Sequence, residues 1–193
     1  MTSCNESERR QAEESIRRIA ETLGMIIDKP IGVESIQVES VEQRVAGSNS
    51  IHISFKLAFQ YQGKLAHGAL LIPLADAITI GCYLMMMPEE SVKSQRAQST
   101  LGAGLKDALM EVGNFVGGAS AAALRGLGLD GIHVRSEGCQ GVEANLVPAF
   151  VHPDKSPLVL GRARLRVDSW PAFEAILMLP ALVSEASTSA PAA

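Results

Sequence analysis

The sequence predicts an α+β domain in which long helices lie on one largely antiparallel sheet. Three observations carry that prediction. The chain has 193 residues, 47% hydrophobic and 20% charged, which is enough apolar material for one real core. Strand-like runs follow one another through short turns, which favours antiparallel pairing. A doubly wound parallel sheet would need a helix after nearly every strand, and those helices are missing.

The elements follow in order. Ala12, Ile16, Ile19, Ala20 and Leu23 recur at helical spacing, so residues 6–25 form a first helix, with Ser3 and Glu6 placed for a capping box. Residues 34–45 read as a strand in which Ile36 and Val38 alternate with polar neighbours before the phase slips. The clearest strand is 51–61, where Ile51, Ile53, Phe55, Leu57, Phe59 and Tyr61 alternate without a break; "QGK" turns it into "LAHGALLI", giving a hairpin. Residues 74–87 read as a nearly all-apolar helix ended by Pro88. A polar stretch, "EESVKSQRAQST", leads to a long helix over 99–125, whose end is punctuated by Gly126, Gly128 and Gly131. Strands are expected at 131–136, 143–151, 159–167 and 173–179. Residues 1–182 are read as a single domain and 183–193, small and polar, as a disordered tail. The recurrence of a helix followed by strands suggests two related halves.

Composition narrows the function. Lys and Arg total 17 against 21 Asp and Glu, a net charge of −4 without a basic block, which argues against a nucleic-acid binder. Cys4, Cys82 and Cys139 form no CxxC pair and read as free thiols in a reducing compartment. The polar N-terminus has no signal-peptide core, and residues 68–88, though long enough to span a bilayer, contain Pro73 and Asp76. A buried strand and helix account for that segment better, so no membrane insertion is expected and the location expected is the cytoplasm. His52, His67, His133 and His152 are scattered, no metal-ligand cluster stands out, and "GLGLDG" at 126–131 lacks the Lys-Ser/Thr of a phosphate loop. Trp170 reads as an anchor before the last strand.

"DALMEVGNFVGG", residues 107–118, is the stretch that asks for an explanation, because Asp107, Glu111 and Asn114 interrupt an otherwise apolar run. At 100° per residue, with Asp107 at zero, Glu111 falls at about 40° and Asn114 at about 340°. Leu105, Ala108, Leu109, Val112, Phe115, Val116, Ala119 and Ala123 fall between about 80° and 200°, the arc that faces the sheet. The acid and the amide therefore point outward, side by side. Gly118 and Ala122 continue the outward line and keep the helix surface low enough for another molecule to approach. Gly113, Gly117 and Gly118 weaken the helix, a cost that packing or close approach must offset. As ordinary solvated residues, Glu111 and Asn114 would need no further account.

"DALMEVGNFVGGASAAAL" resembles the signature helix of the CheC/CheX/FliY family of chemotaxis phosphatases, in which an acidic or hydroxyl residue is followed by Glu four positions on and Asn three further. "GALLIPLADAITIGCYLMM" is similar to that family's preceding strand and helix. The resemblance covers about residues 10–180 and implies a CheC/CheX-like fold. It implies hydrolysis of the phospho-aspartate of a CheY-like response regulator in chemotaxis or related two-component signalling. In that reading Asn114 orients the attacking water and Glu111 reaches the regulator's lysine. Asp107 completes the motif and binds the partner's edge or caps local charge. No cofactor is expected on this chain, since the regulator would supply Mg²⁺. The resemblance also implies a homodimer, and the first helix, without a Glu-x-x-Asn pair, implies the single-centre CheX-like arrangement.

One departure concerns a proline that the family carries a little over twenty residues beyond the Asn; Ser136 or Glu137 stands there. The alternative is a non-catalytic interaction module, because flagellar switch proteins share the scaffold; the surplus of apolar residues in "CYLMMM" would then feed an interface. A hydrolase using Asp107 and Glu111 as paired carboxylates leaves little room for substrate, one turn apart on one helix.

Overall fold

A computed structural model describes residues 4–153 and 155–182. Among them are four helices and six strands: α1 (Glu6–Ile26), β1 (Ile31–Val41), β2 (His52–Tyr61), β3 (Lys64–Pro73), α2 (Leu74–Leu84), α3 (Glu89–Arg96), α4 (Ala103–Gly126), β4 (His133–Val142), β5 (Leu158–Val167) and β6 (Phe173–Pro180). The strands form one sheet in the order β1-β5-β6-β3-β2-β4, antiparallel at every pairing. The expected tail at 183–193 lies outside the described residues.

The sheet order has a symmetry that the sequence only hinted at. Exchanging β1 with β4, β2 with β5 and β3 with β6 turns the order into itself read backwards. Each half is thus a helix, an edge strand and a hairpin, and each edge strand pairs with the other half's hairpin: β1 on β5, β4 on β2. Helices α1 and α4 are the equivalent elements of the two halves and pack against each other.

The main core lies between the sheet and its helices, where Ile53, Phe55, Leu57, Phe59, Leu70 and Ile72 meet residues such as Ile16, Leu109, Val112 and Val116. Alternation puts these strand residues on one face. The opposite face has its own small cluster of Ala69, Leu71, Leu160, Ile176 and Met178, covered by Val41, Val45 and Phe150. The hairpin between β2 and β3 closes through Gln62 and Gly63, both at positive φ (49° and 74°), as a type I′ turn requires.

Several expectations are corrected. Residues 143–151 form no strand. Asn145 sits at φ 64°, Pro148 supplies no donor, and the Arg44 guanidinium donates to the carbonyls of Pro148 and Phe150, each at 3.1 Å, in place of a ladder. The segment crosses the outer face instead. The strand expected at 131–136 continues to Val142, because Gly138 at φ 99° absorbs a bulge in the middle of what reads as a turn. The strand expected at 34–45 runs Ile31–Val41.

The polar stretch before α4 contains α3, which buries only Val92 but has Glu89 and Glu90 in its first turn and Lys93 and Arg96 in its last. The helix expected at 74–87 ends at Leu84, where Met86 adopts φ 57° and closes a Schellman motif with Met86 N donating to Tyr83 O and Met87 N to Cys82 O. The long helix begins at Ala103, not 99. The capping box is Asn5 with Glu8, whose reciprocal bonds are 2.8 and 3.0 Å, two residues beyond the expected Ser3 and Glu6; Ser3 lies outside the described residues.

Candidate functional site

The outward face of α4 is built as its angular pattern predicts. Leu105, Ala108, Leu109, Val112, Val116, Ala119 and Ala123 are buried, Phe115 is half-buried, and Asp107, Glu111, Asn114, Gly118 and Ala122 are exposed. The side chains of Glu111 and Asn114 meet: Asn114 Nδ2 donates to Glu111 Oε2 at 3.3 Å. That bond assigns the amide's two branches. Its nitrogen is turned to the carboxylate, and among the described residues Oδ1 accepts no hydrogen bond, so the carbonyl oxygen is free for a water hydrogen. Asp107 is exposed one turn earlier and makes no hydrogen bond to either residue, so the structure joins the pair and leaves Asp107 beside it.

The three glycines of this stretch have different reasons. A Cβ on Gly113 would lie 2.7 Å from Ser136 Oγ, and one on Gly117 would lie 3.2 Å from Ser136 N. These two glycines form a notch that lets β4 approach α4 closely. Gly118 meets nothing within 4 Å and faces open solvent beside the pair. The helix is therefore tight against β4 on one flank and cut low on the outer one.

The position where a proline was expected is that same notch. Ser136 sits in it and accepts from Gly138 N at 3.2 Å, stabilising the bulge between the Phe55–Cys139 and Leu57–Ser136 pairs. Glu137, the other residue at the place of the proline, is held by Arg135 at 3.3 Å and by His67 at 3.5 Å. A bulge on an edge strand is one of the few places where a sheet takes proline, so the local backbone is of the kind that residue favours even though Ser136 and Glu137 occupy it.

Sequence reading passed over Met110. At about 300° it lies outside the core arc, and in the structure it is 45% exposed, adjoining the pair and resting on Gly138 and Cys139 of β4. The signal was an apolar residue at an angle that cannot reach the core. Cys139 is half-buried and its thiol is pushed up by burial, and Cys82 likewise, so neither is an activated nucleophile. Among the described residues, no three His, Cys, Asp or Glu side chains gather as a metal site, and no helix is long and apolar enough to cross a membrane.

No model of a protein family matches the chain, and no curated protein sequence does so either. Solved structures do match. FliY of Thermotoga maritima superposes with a TM-score of 0.67 at 15% identity, over 94% of this chain and 93% of that one. The chain has the CheC/CheX/FliY fold. The chemotaxis protein CheX of Desulfovibrio desulfuricans matches over 87% of this chain and 96% of its own, with a TM-score of 0.57 at 15% identity. FliM from the FliG–FliM complex of H. pylori matches with a TM-score of 0.60 at 11% identity, over 90% and 91%. This fold thus occurs both in a chemotaxis protein and in a protein crystallised bound to FliG. On this chain it carries one outward Glu–x–x–Asn pair, on α4; the equivalent helix α1 has its sole Asn at the cap.

Proposed function

We propose that this chain is a phosphatase of a phosphorylated CheY-like response regulator, with Asn114 and Glu111 as its working residues. The observation that carries the reading is the exposed pair on α4, its amide nitrogen tied to Glu111 and its carbonyl oxygen unpartnered among the described residues. An acyl phosphate is a mixed anhydride and already activated, so a catalyst has mainly to place a water in line with the breaking P–O bond. Asn114 Oδ1 accepts one hydrogen of that water and aims its lone pair at phosphorus. The water oxygen bonds to phosphorus, the bond to the aspartyl carboxylate breaks, the carboxylate leaves as the anion, and the water's two protons end on the orthophosphate released. An uncharged amide does this without repelling the phosphoryl oxygens. Glu111 takes the regulator's lysine as a charge-assisted partner, which fixes the register of the two proteins. Asp107 extends the acidic edge one turn further. Mg²⁺ belongs to the regulator in this reading, where it neutralises phosphoryl charge. The setting is cytoplasmic two-component signalling, and the protein acts as a homodimer.

The second reading is a non-catalytic interaction module, favoured by the likeness to FliM structures solved with FliG and with SpeE. Release of phosphate from a Mg²⁺-loaded, acyl-phosphate-labelled regulator separates the two. A phosphatase accelerates release and loses that acceleration in N114A while still binding. A module binds without accelerating.

A further inference from the structure

Met110 is the residue that the catalytic pair leaves unexplained. Of the exposed large apolar side chains among the described residues, it alone belongs to α4. It stands immediately before Glu111 and one turn before Asn114, so Asn114 has Glu111 and Met110 as its two neighbours in the preceding turn. Side chains on a helix lean toward its N-terminus, which brings the Asn114 amide down between them. Its nitrogen takes Glu111 at 3.3 Å, so its oxygen branch is the one turned away from the carboxylate.

The thioether is propped from behind. A Cβ on Gly138 would stand 3.5 Å from Met110 Cε and 3.7 Å from Sδ, and Cys139 Sγ is 3.9 Å from Sδ. Gly138 is held at φ 99° by the bulge, and Ser136 anchors that bulge in the Gly113–Gly117 notch. The bulge thus supports a large, adaptable apolar group at the rim of a polar site. None of the described residues covers its outer side, and 45% of it remains exposed.

We infer that Met110 is a specificity-determining contact for the phosphorylated regulator, packing on an apolar patch that borders the regulator's phosphorylation site. This inference rests on the phosphatase reading above. The pair supplies charge and polarity that many phosphorylated partners would satisfy; an apolar contact at its edge adds shape. A thioether suits that task because its unbranched, polarisable chain adapts to the surface it meets. Burying it strengthens binding of the regulator without touching the reacting atoms, so its effect falls on KM.

The test measures kcat and KM on the regulator that the wild-type protein dephosphorylates, and Kd on each regulator loaded with Mg²⁺ and beryllofluoride as a stable phosphoryl mimic. M110A and M110Q are expected to raise KM and Kd about 5–10-fold with kcat within about twofold, and M110L to restore both, in line with the loss and return of one buried apolar side chain. An active wild type whose KM and Kd are unmoved in M110A overturns the inference and leaves the phosphatase reading standing. So does a fall in kcat and melting temperature that M110L does not rescue, since that marks a prop of the fold. A wild type that binds a regulator but hydrolyses none removes the phosphatase reading. The contact is then judged on Kd alone, supported by the 5–10-fold loss and overturned by its absence. Binding to no regulator overturns both.

Discussion

Asn114 and Glu111 divide their labour by charge, and substitution can separate the two parts. Glu111→Gln keeps an oxygen to accept from Asn114 Nδ2 and removes only the negative charge. Losing one charge-assisted hydrogen bond to a partner lysine is expected to weaken binding of the phosphorylated regulator about tenfold. Titration of the beryllofluoride-loaded regulator checks this, and an unchanged Kd would remove the lysine contact from the account. Met86 is a residue whose conformation disagrees with its identity. It occupies the left-handed cap of α2 at φ 57° and is 91% exposed, where glycine is the favoured residue. Met86→Gly should stabilise the chain by about 0.5–1 kcal/mol, measured by urea denaturation. The outward direction of the pair was legible in the sequence because helical angle needs only spacing. The bond between Asn114 and Glu111 was not, since it depends on side-chain torsions that spacing leaves free.

At the scale of elements, α4 joins a tight flank to an open one, and its glycines test each. Gly113→Ala drives a methyl to 2.7 Å from Ser136 Oγ, an overpacking expected to cost about 1–3 kcal/mol. The cost should largely vanish in the background Ser136→Ala, because the Ser136 Cβ lies 3.6 Å from the same point, an ordinary contact. Gly118→Ala meets nothing and should gain up to about 1 kcal/mol of helix stability. Chemical denaturation of the three singles (Gly113→Ala, Gly118→Ala and Ser136→Ala) and of the Gly113→Ala/Ser136→Ala double measures all three effects; equal costs at 113 and 118 would contradict the notch.

The α2–α3 pair is clipped by Arg96, which donates to Asp76 at 2.7 Å, to Thr79 at 2.6 Å and to Ala75 O at 3.0 Å, and stacks on Trp170. Burial holds the Asp76 carboxyl above its ordinary value, against the opposing pull of Arg96. A raised folded pKa means that the group's contribution is full below the ordinary aspartate range and is lost as the pH rises through the raised value. Arg96→Ala leaves a buried carboxylate unpaired and should cost about 3–5 kcal/mol at neutral pH. The deficit should narrow as the pH is lowered and Asp76 takes up a proton. Melting curves of both proteins across that range decide it, and a deficit that widens in acid would contradict the assignment. This helix pair marks where element prediction failed. Helix α3 buries one residue, so it has no apolar stripe to be read, and its existence depends on capping charge and on Arg96.

Over the whole molecule, the α+β class and the antiparallel sheet were legible because β2 and β3 alternate cleanly and their turn is short. The strand expected at 143–151 was not fully correctable from sequence: Pro148 is visible there, but the long-range bonds from Arg44, and the packing of Phe150 on the outer face of the sheet while Leu146, Val147 and Val151 stay exposed, are not. The pseudo-twofold order of the sheet was equally hidden, since helix and strand spacing says nothing of which strands become neighbours. That order places α1 and α4 as counterparts, with a Glu–x–x–Asn pair on α4 alone. The fold occurs in a chemotaxis protein and in FliM structures alike, so the fold cannot choose between chemistry and docking, and the choice falls to the pair. The most direct measurement is phosphate release from Mg²⁺-loaded, acyl-phosphate-labelled regulators of the same organism, with the wild-type protein and with N114A. The account predicts acceleration that N114A reduces about 100-fold or more, the cost of a water no longer held in line, while binding persists. Binding without acceleration, or acceleration that N114A leaves intact, would contradict it.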